Sequence, residues 1–225
     1  MVITTRGVIF RVVKYRETSI ITTIYTEDYG LLTYIANNVR SPKAKFSIGY
    51  FELLNLVEIT AYHNPSKDIN RLSEIKISYP LHSLRQDIYK SAIIIFLAEV
   101  LNKCIVEHDK NKELFTFISS SIMVLETIER NNSFHLQFMF KLSTFLGFGI
   151  TEPTFFINEA IDSKYYLDQA IAKRLQKLIE NDLSDIFSIN SADRRTILND
   201  LIHFYQLQIG MGKLKSLEVL NTVLS

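Results

Sequence analysis

The chain has a single cysteine, Cys104, among 225 residues. One thiol forms neither an intramolecular disulfide nor a multi-cysteine zinc site, and it fits a reducing cytoplasm. Long apolar stretches are also missing. The longest, Ala92 to Leu101, is ten residues and contains Glu99. That is about half of the ~20 residues a bilayer crossing needs, so this segment is expected to be a buried helix and no membrane association is expected. The first fifteen residues alternate in polarity and carry Arg6, Arg11 and Lys14, which matches neither a signal nor a transit peptide.

Several catalytic and ligand-binding patterns are absent too. The histidines stand at 63, 82, 108, 135 and 203, no two of them three or four residues apart. There is no HExxH, no CxxC and no acidic calcium loop, so no metal is expected. Gly210-Met211-Gly212-Lys213 resembles the end of a phosphate-binding loop, but position 207 is Leu where glycine is needed, and 214 is Leu where a hydroxyl is needed. Gly147-Phe148-Gly149 lacks a third glycine and follows no strand, which excludes a dinucleotide fingerprint. Both glycine pairs read as helix C-caps. No GxSxG elbow occurs, and Cys104 lies in an apolar helical run where a buried, inert thiol is expected. Ser119 to Ser121 fall inside a helical pattern, and Glu126 and Glu129 fall on charged helix faces. No catalytic residue and no cofactor is expected.

The composition that remains is that of a folded chain. It is 47% hydrophobic and 22% charged, which excludes disordered and collagen-like architectures, and a chain of this length buries roughly 70% of its unfolded surface. The net charge of +1 hides an asymmetry. Residues 1–80 hold ten Lys/Arg against seven Asp/Glu, or +3, whereas 81–225 hold fifteen against seventeen, or −2. In the first fifty residues the balance is seven to three. Any footprint for a polyanion therefore lies at the N-terminus.

The hydrophobic period changes near Pro80. Before it, β-rich runs at 2–15, 19–26, 31–37, 50–62 and 69–78 are separated by turn residues, among them Gly30, Gly49 and Asn64-Pro65. Alternation puts Val8, Phe10 and Val12 on one side of the first run and Ile9, Arg11 and Val13 on the other. Five short strands in about 80 residues fit a small closed or nearly closed barrel, an architecture that removes exposed edges, and a five-stranded OB barrel is the economical choice. After Pro80 the period is helical. Ser83-Leu84-Arg85-Gln86 has the spacing of a capping box, with Leu84, Ile88, Ala92, Ile95 and Ala98 behind it on one face. Further helices are expected at 112–130, 134–147, 164–181, 191–208 and 213–224, the fifth capped by Ser191, with 148–163 as the one long connection. The fold class is α+β: a barrel in 1–80 followed by a helical domain in 81–225.

Cations and rings interleave in the barrel: Arg11, Lys14, Tyr15, Arg16, then Tyr25, Tyr34, Arg40, Lys43 and Lys45. A groove for single-stranded nucleic acid needs cations along the phosphates and flat rings under the bases, each stacked base contributing ~1–3 kcal/mol. Arg40-Ser41-Pro42-Lys43-Ala44-Lys45 is a basic segment between strands, a common place for phosphate contacts. The competing reading is that the tyrosines pack the barrel and the cations keep it soluble.

Residue order adds a resemblance. Thr5-Arg6-Gly7-Val8-Ile9, Tyr15-Arg16-Glu17-Thr18-Ser19, Thr26-Glu27-Asp28-Tyr29-Gly30 and Ala36-Asn37-Asn38-Val39-Arg40-Ser41 resemble the N-terminal domain of the bacterial recombination mediator family RecO. Phe145-Leu146-Gly147-Phe148 with Pro153 is similar to that family's LGF segment, and Gly212-Lys213-Leu214-Lys215-Ser216-Leu217 to its C-terminal segment. The resemblance implies an N-terminal OB fold that binds single- and double-stranded DNA, and annealing of complementary strands without ATP. It also implies contacts with RecR and single-strand binding protein, indirect loading of RecA on gapped DNA, and a cytoplasmic, nucleoid-associated place in the DNA damage response. By position it puts DNA contacts at Arg40, Lys43 and Lys45, with Lys14 and Arg16 on the same face. It makes Arg194, Arg195, Lys213 and Lys215 secondary contacts with DNA or an acidic partner tail. For Arg194 and Arg195 a solvated helix start is the competing explanation.

Many members of that family carry four zinc-binding cysteines after the LGF segment. Here 155–166 contains none, so no zinc is expected and Phe155, Phe156, Tyr165 and Tyr166 take over by packing. Two other classes stay open: an adaptor whose OB fold binds protein rather than DNA, and a DNA enzyme whose catalytic residues are dispersed along the chain.

Overall fold

The computed structural model describes residues 1–41, 44, 46–106, 110–159 and 169–224. Five strands form a closed barrel: β1 (Val2–Tyr15), β2 (Ser19–Thr26), β3 (Gly30–Ala36), β4 (Leu56–Tyr62) and β5 (Ile69–Tyr79). Their order around it is β1-β2-β3-β5-β4, with only β3 and β5 parallel. This is the OB arrangement. Closure depends on β1, whose first half pairs with β4 and second half with β2. The two halves overlap at Gly7 and Val8. A Cβ on Gly7 would stand 2.5 Å from Ile24 Cγ2, so only glycine permits the close approach there.

Strict alternation fails in β1. The register slips between Ile9 and Arg11, so Phe10 is the extra residue of a bulge. Ile9 faces into the barrel and Val12 packs against that same interior, while Val8 and Phe10 join the core shared with the helices. Val12 is thus on the side of Ile9 rather than of Val8. The fourth run also starts later than its composition suggests. Ile48–Phe51 is a 3₁₀ turn capped by Ser47, and the Asn55 amide ties it down through the carbonyls of Gly49 and Tyr50.

The helices are α1 (Ser83–Gln86), α2 (Ile88–Cys104), α3 (Lys112–Thr127), α4 (Phe134–Phe145), α5 (Pro153–Glu159), α6 (Gln169–Glu180), α7 (Ser191–Ile209) and α8 (Ser216–Val223). Residues 83–86 do not open the long helix. The chain turns extended at Asp87, whose carboxylate accepts from the Tyr89 and Lys90 N–H groups and starts α2 afresh. The first turn of α1 is capped from a distance instead: the Glu126 carboxylate of α3 accepts from the N–H groups of His82, Ser83 and Leu84. α2 is apolar all round and runs through the middle, which exposes Ile88 and Ile95 of the expected stripe and buries Ile93, Ile94, Phe96 and Leu97. Asn190, not Ser191, caps α7 by accepting from Asp193 N–H. Gly147 and Gly210 both adopt left-handed backbone at helix ends, Gly210 as the α7 C-cap.

One core extends from the outward side of the barrel (Val8, Phe10, Tyr25, Leu54, Leu56) through all the long helices. Phe10 stacks on Tyr25, which meets Phe115 of α3 and donates its hydroxyl to the Asn111 carbonyl. The 148–163 connection contains α5, opened by Pro153 at its first helical position. Phe156 is fully buried between Phe140 and Phe204, whereas Phe155 lies edge-on to Phe204 and is partly exposed. Tyr165 and Tyr166 lie outside the described residues.

Candidate nucleic-acid interface

Two turns meet at one end of the barrel. Arg40 N–H donates to the Thr18 carbonyl, and Thr18 and Ser19 hydroxyls donate to Asn38 and Asn37. These bonds bring Lys14, Arg16 and Arg40 to the same end, all exposed. Arg16 adopts left-handed backbone, unusual for a side chain of its size, and lays its guanidinium over the Tyr15 ring, 5.2 Å from its centroid. Tyr15 is half-buried and already carries a cation on its face. Lys43 and Lys45 lie outside the described residues.

Arg11 belongs to the outer face of the sheet. The register sets it in a row with Thr23, Thr33 and Ile69. The adjacent row reads Val13, Ile21, Ile35, Arg71, Tyr62 and Val2. Neither row contains a carboxylate. The other described cations of the barrel are paired, Arg6 with Glu27 at 2.6 Å and Lys76 with Glu58 at 2.7 Å, and Arg85 of α1 reaches back to Glu52 at 2.8 Å. Among the described residues, Arg11, Lys14, Arg16, Arg40, Lys67 and Arg71 form no ion pair. Among the described residues, the unpaired positive charge of the barrel is therefore gathered on this face and its end.

Two expected stacking rings are not available. Tyr34 faces inward beside Ile20 and Ala36 and is 0% exposed, its hydroxyl pushed well above the usual tyrosine range by burial. Tyr25 is buried in the shared core. Both alternate into packed interiors, so neither can lie under a base. The competing reading was right for these two rings.

In the helical half, Arg195 and Lys215 line a surface groove of about 560 Å³ with Leu214, Leu217, Glu218, Asn221 and Thr222. Lys213 is exposed next to it, and its carbonyl accepts from Lys103 Nζ at 2.7 Å. Arg194 is a different case. It is buried and donates to the carbonyls of Ile189 and Leu224, fastening the end of the chain to α7. It is neither a DNA contact nor a solvated helix start. Replacing Arg194 by Met leaves both carbonyl oxygens unpaired and is expected to cost about 2–3 kcal/mol in urea unfolding, with DNA affinity unchanged in the folded fraction. Normal stability with weakened DNA binding would return Arg194 to the interface.

Cys104 is inert, as its run of neighbours implies. Burial pushes its thiol up to about 12, and Sγ lies 3.5 Å from Met211 Sδ. Among the described residues no three His, Cys, Asp or Glu side chains gather as a metal site, and no helix is long and apolar enough to cross a membrane.

Sequence reading missed Tyr62, Lys67 and Arg71. Their one signal was the basic and aromatic residues either side of Asn64-Pro65. What joins them to Arg11 is the parallel pairing of β3 with β5, which has no local trace.

Residues 1–81 match the family model for the recombination protein O N terminal, and residues 85–152 the one for its C terminal. DNA repair protein RecO of Flavobacterium psychrophilum is 32% identical over 238 residues, covering 100% of both chains. The RecO proteins of Azobacteroides pseudotrichonymphae and Bacteroides fragilis are each 32% identical over 99% and 96% of both chains, respectively. With its barrel, its helical half and its full length all matched, this chain belongs to the RecO family.

Proposed function

We propose that this chain is a mediator of DNA repair and recombination that binds single- and double-stranded DNA and anneals complementary strands without ATP. RecO membership supports a DNA repair role. The observation that carries the finer reading is the pair of carboxylate-free rows on the outer face of the barrel, with the cations there that form no ion pair among the described residues. Phosphates of each strand are held there, repulsion between strands is screened, and the bases stay available for pairing. Residues 1–80 take the DNA through Arg11, Lys14, Tyr15, Arg16 and Arg40, with Lys43 and Lys45 continuing the segment. Residues 81–225 take partners, with Arg195, Lys213 and Lys215 placed for an acidic tail or a second strand. The partners are RecR and single-strand binding protein, with RecA loaded on gapped DNA as the outcome. The setting is the cytoplasm, on the nucleoid.

The test is annealing of two complementary fluorescent oligonucleotides, with and without the protein, at low and moderate salt and without ATP. Acceleration that fades with salt is expected, with binding to single strands falling at a slope of about −0.7 per neutralised phosphate. Affinity indifferent to salt would reject the mechanism. No acceleration by folded protein would favour an adaptor, which a pull-down with an acidic single-strand binding protein tail in the absence of DNA would identify.

A further inference from the structure

Among the described barrel residues, Tyr62 is the one aromatic ring that stands exposed, with 56% of its surface open to solvent. Tyr25, Tyr34 and the phenylalanines are buried, while Tyr15, Tyr29, Tyr50 and Tyr79 are half-buried. Tyr62 ends β4 on the outer face, with Arg71 as its register partner on one side and Val2 on the other. It walls a groove of about 380 Å³ together with Ile35, Lys67, Ile69 and Arg71. Two further residues of this groove, Asn70 and His63, are nine-tenths buried or more, and Asn70 Nδ2 and His63 Nδ1 lack hydrogen-bond partners among the described residues. Asn70 Oδ1 accepts from Asn64 N–H, so the amide is oriented with its NH₂ unused. The groove thus has polar needs that the described residues do not meet.

We propose that Tyr62 is a base-stacking platform for an unpaired nucleic-acid strand that crosses the barrel along the row Tyr62, Arg71, Ile35, Ile21, Val13. Arg71 and Lys67 hold phosphates beside the ring, and Arg11 holds one further along. From Tyr62 to Val13 is four strand spacings, roughly 19 Å at ~4.8 Å each. A polyanion fits this face because its cations are unpaired and its rows lack carboxylates; an acidic protein surface would leave the exposed ring without a partner of matching shape. The strand must be unpaired, because the faces of duplex bases are already stacked on each other. Cations at the barrel end accept single strand and duplex alike, whereas this row selects the single strand. The inference rests on the DNA reading above and adds its register and its preference.

The chain contains no tryptophan, so Tyr62→Trp introduces a lone indole reporter. The full-length variant is titrated with oligothymidylate, following indole fluorescence and, in parallel, the anisotropy of a labelled copy of the same oligonucleotide. Indole quenching that tracks the anisotropy is expected, with an abasic oligonucleotide of equal length binding without quenching. Tyr62→Ala is expected to weaken single-strand binding about 5- to 150-fold and leave duplex binding unchanged, and Tyr62→Phe to restore it. Full anisotropy change with an unperturbed indole would overturn the platform while the DNA reading stands. An absence of any anisotropy change with the unsubstituted protein would overturn the DNA reading and this inference together.

Discussion

Alanine at Arg11, Lys67 and Arg71 together is expected to lower single-strand affinity by about two decades at 0.1 M salt. Three phosphate contacts at about 0.7 each change the slope of log K against log salt by about 2, so the mutant and parent lines converge towards 1 M. The loss is expected to be nearly the same for every sequence, since phosphates carry no base information. Stability is expected to change by less than about 0.5 kcal/mol per site, because all three side chains are exposed and none is in an ion pair among the described residues. Parallel salt lines for mutant and parent would remove these cations from the interface, whatever the change in affinity. The same measurement on Arg40→Ala gives the share held by the barrel end.

The second large effect is on acid stability and comes from His135. This side chain is 0% exposed on α4, with Phe96 edge-on at 6.0 Å and, among the described residues, no hydrogen-bond partner at either ring nitrogen. Burial, assisted by the charge of Arg194, pulls the imidazole down to about 3. In the unfolded chain the imidazole binds a proton below about 6.5. The unfolded state therefore takes up a proton that the folded state refuses, and stability is lost as pH falls from about 6.5 towards 3, at up to ~1.4 kcal/mol per pH unit. Between pH 6.5 and 5 the expected loss from this one residue is about 2 kcal/mol. His135→Phe, which keeps a ring in an apolar site, is expected to flatten urea midpoints over that interval. An unchanged pH slope in His135→Phe would mean that another group drives the loss.

Two carboxylates add to the loss at lower pH. Burial works to raise Glu126, but hydrogen bonds from the Ser83, Leu84 and His82 N–H groups and the charge of Lys90 outweigh it. Burial likewise works to raise Glu99, outweighed by bonds from the Ser216 hydroxyl and the Ser216 and Lys215 N–H groups and by Lys103. Both sit below the usual carboxylate range, so their contributions are complete above ordinary carboxylate values and lost as pH falls through the lowered ones. The interval from pH 6.5 to 5 isolates His135 from them.

Local features of the chain were legible to within a residue or two where one short-range force decides. The bounds of β1 and β2 follow from alternation ended by Arg16-Glu17-Thr18 and Glu27-Asp28-Tyr29, and the end of α7 follows from Gly210, whose left-handed backbone a larger residue resists. The start of the long helix was misread because a hydroxyl three residues before Gln86 looks like a cap, while the actual caps are Asp87 next to it and Glu126 some forty residues away. No window of local sequence contains that second carboxylate.

Composition and periodicity by themselves determined the division into β-rich and helical halves, a small five-stranded barrel, the buried helix and the placing of surplus positive charge at the N-terminal end. These follow from residues acting on near neighbours along the chain. Which of those residues meet was decided only by the tertiary structure. The bulge at Phe10 turns Val12 to the inside, alternation carries Tyr25 and Tyr34 into packed cores, and the buried carbonyls of Ile189 and Leu224 claim Arg194. The parallel pairing of β3 with β5 sets Arg71 and Tyr62 in one row with Ile35, Ile21 and Val13. Register, burial and pairing join residues far apart in sequence, and a side chain is free to bind a ligand only after the fold has taken the partners it needs for itself.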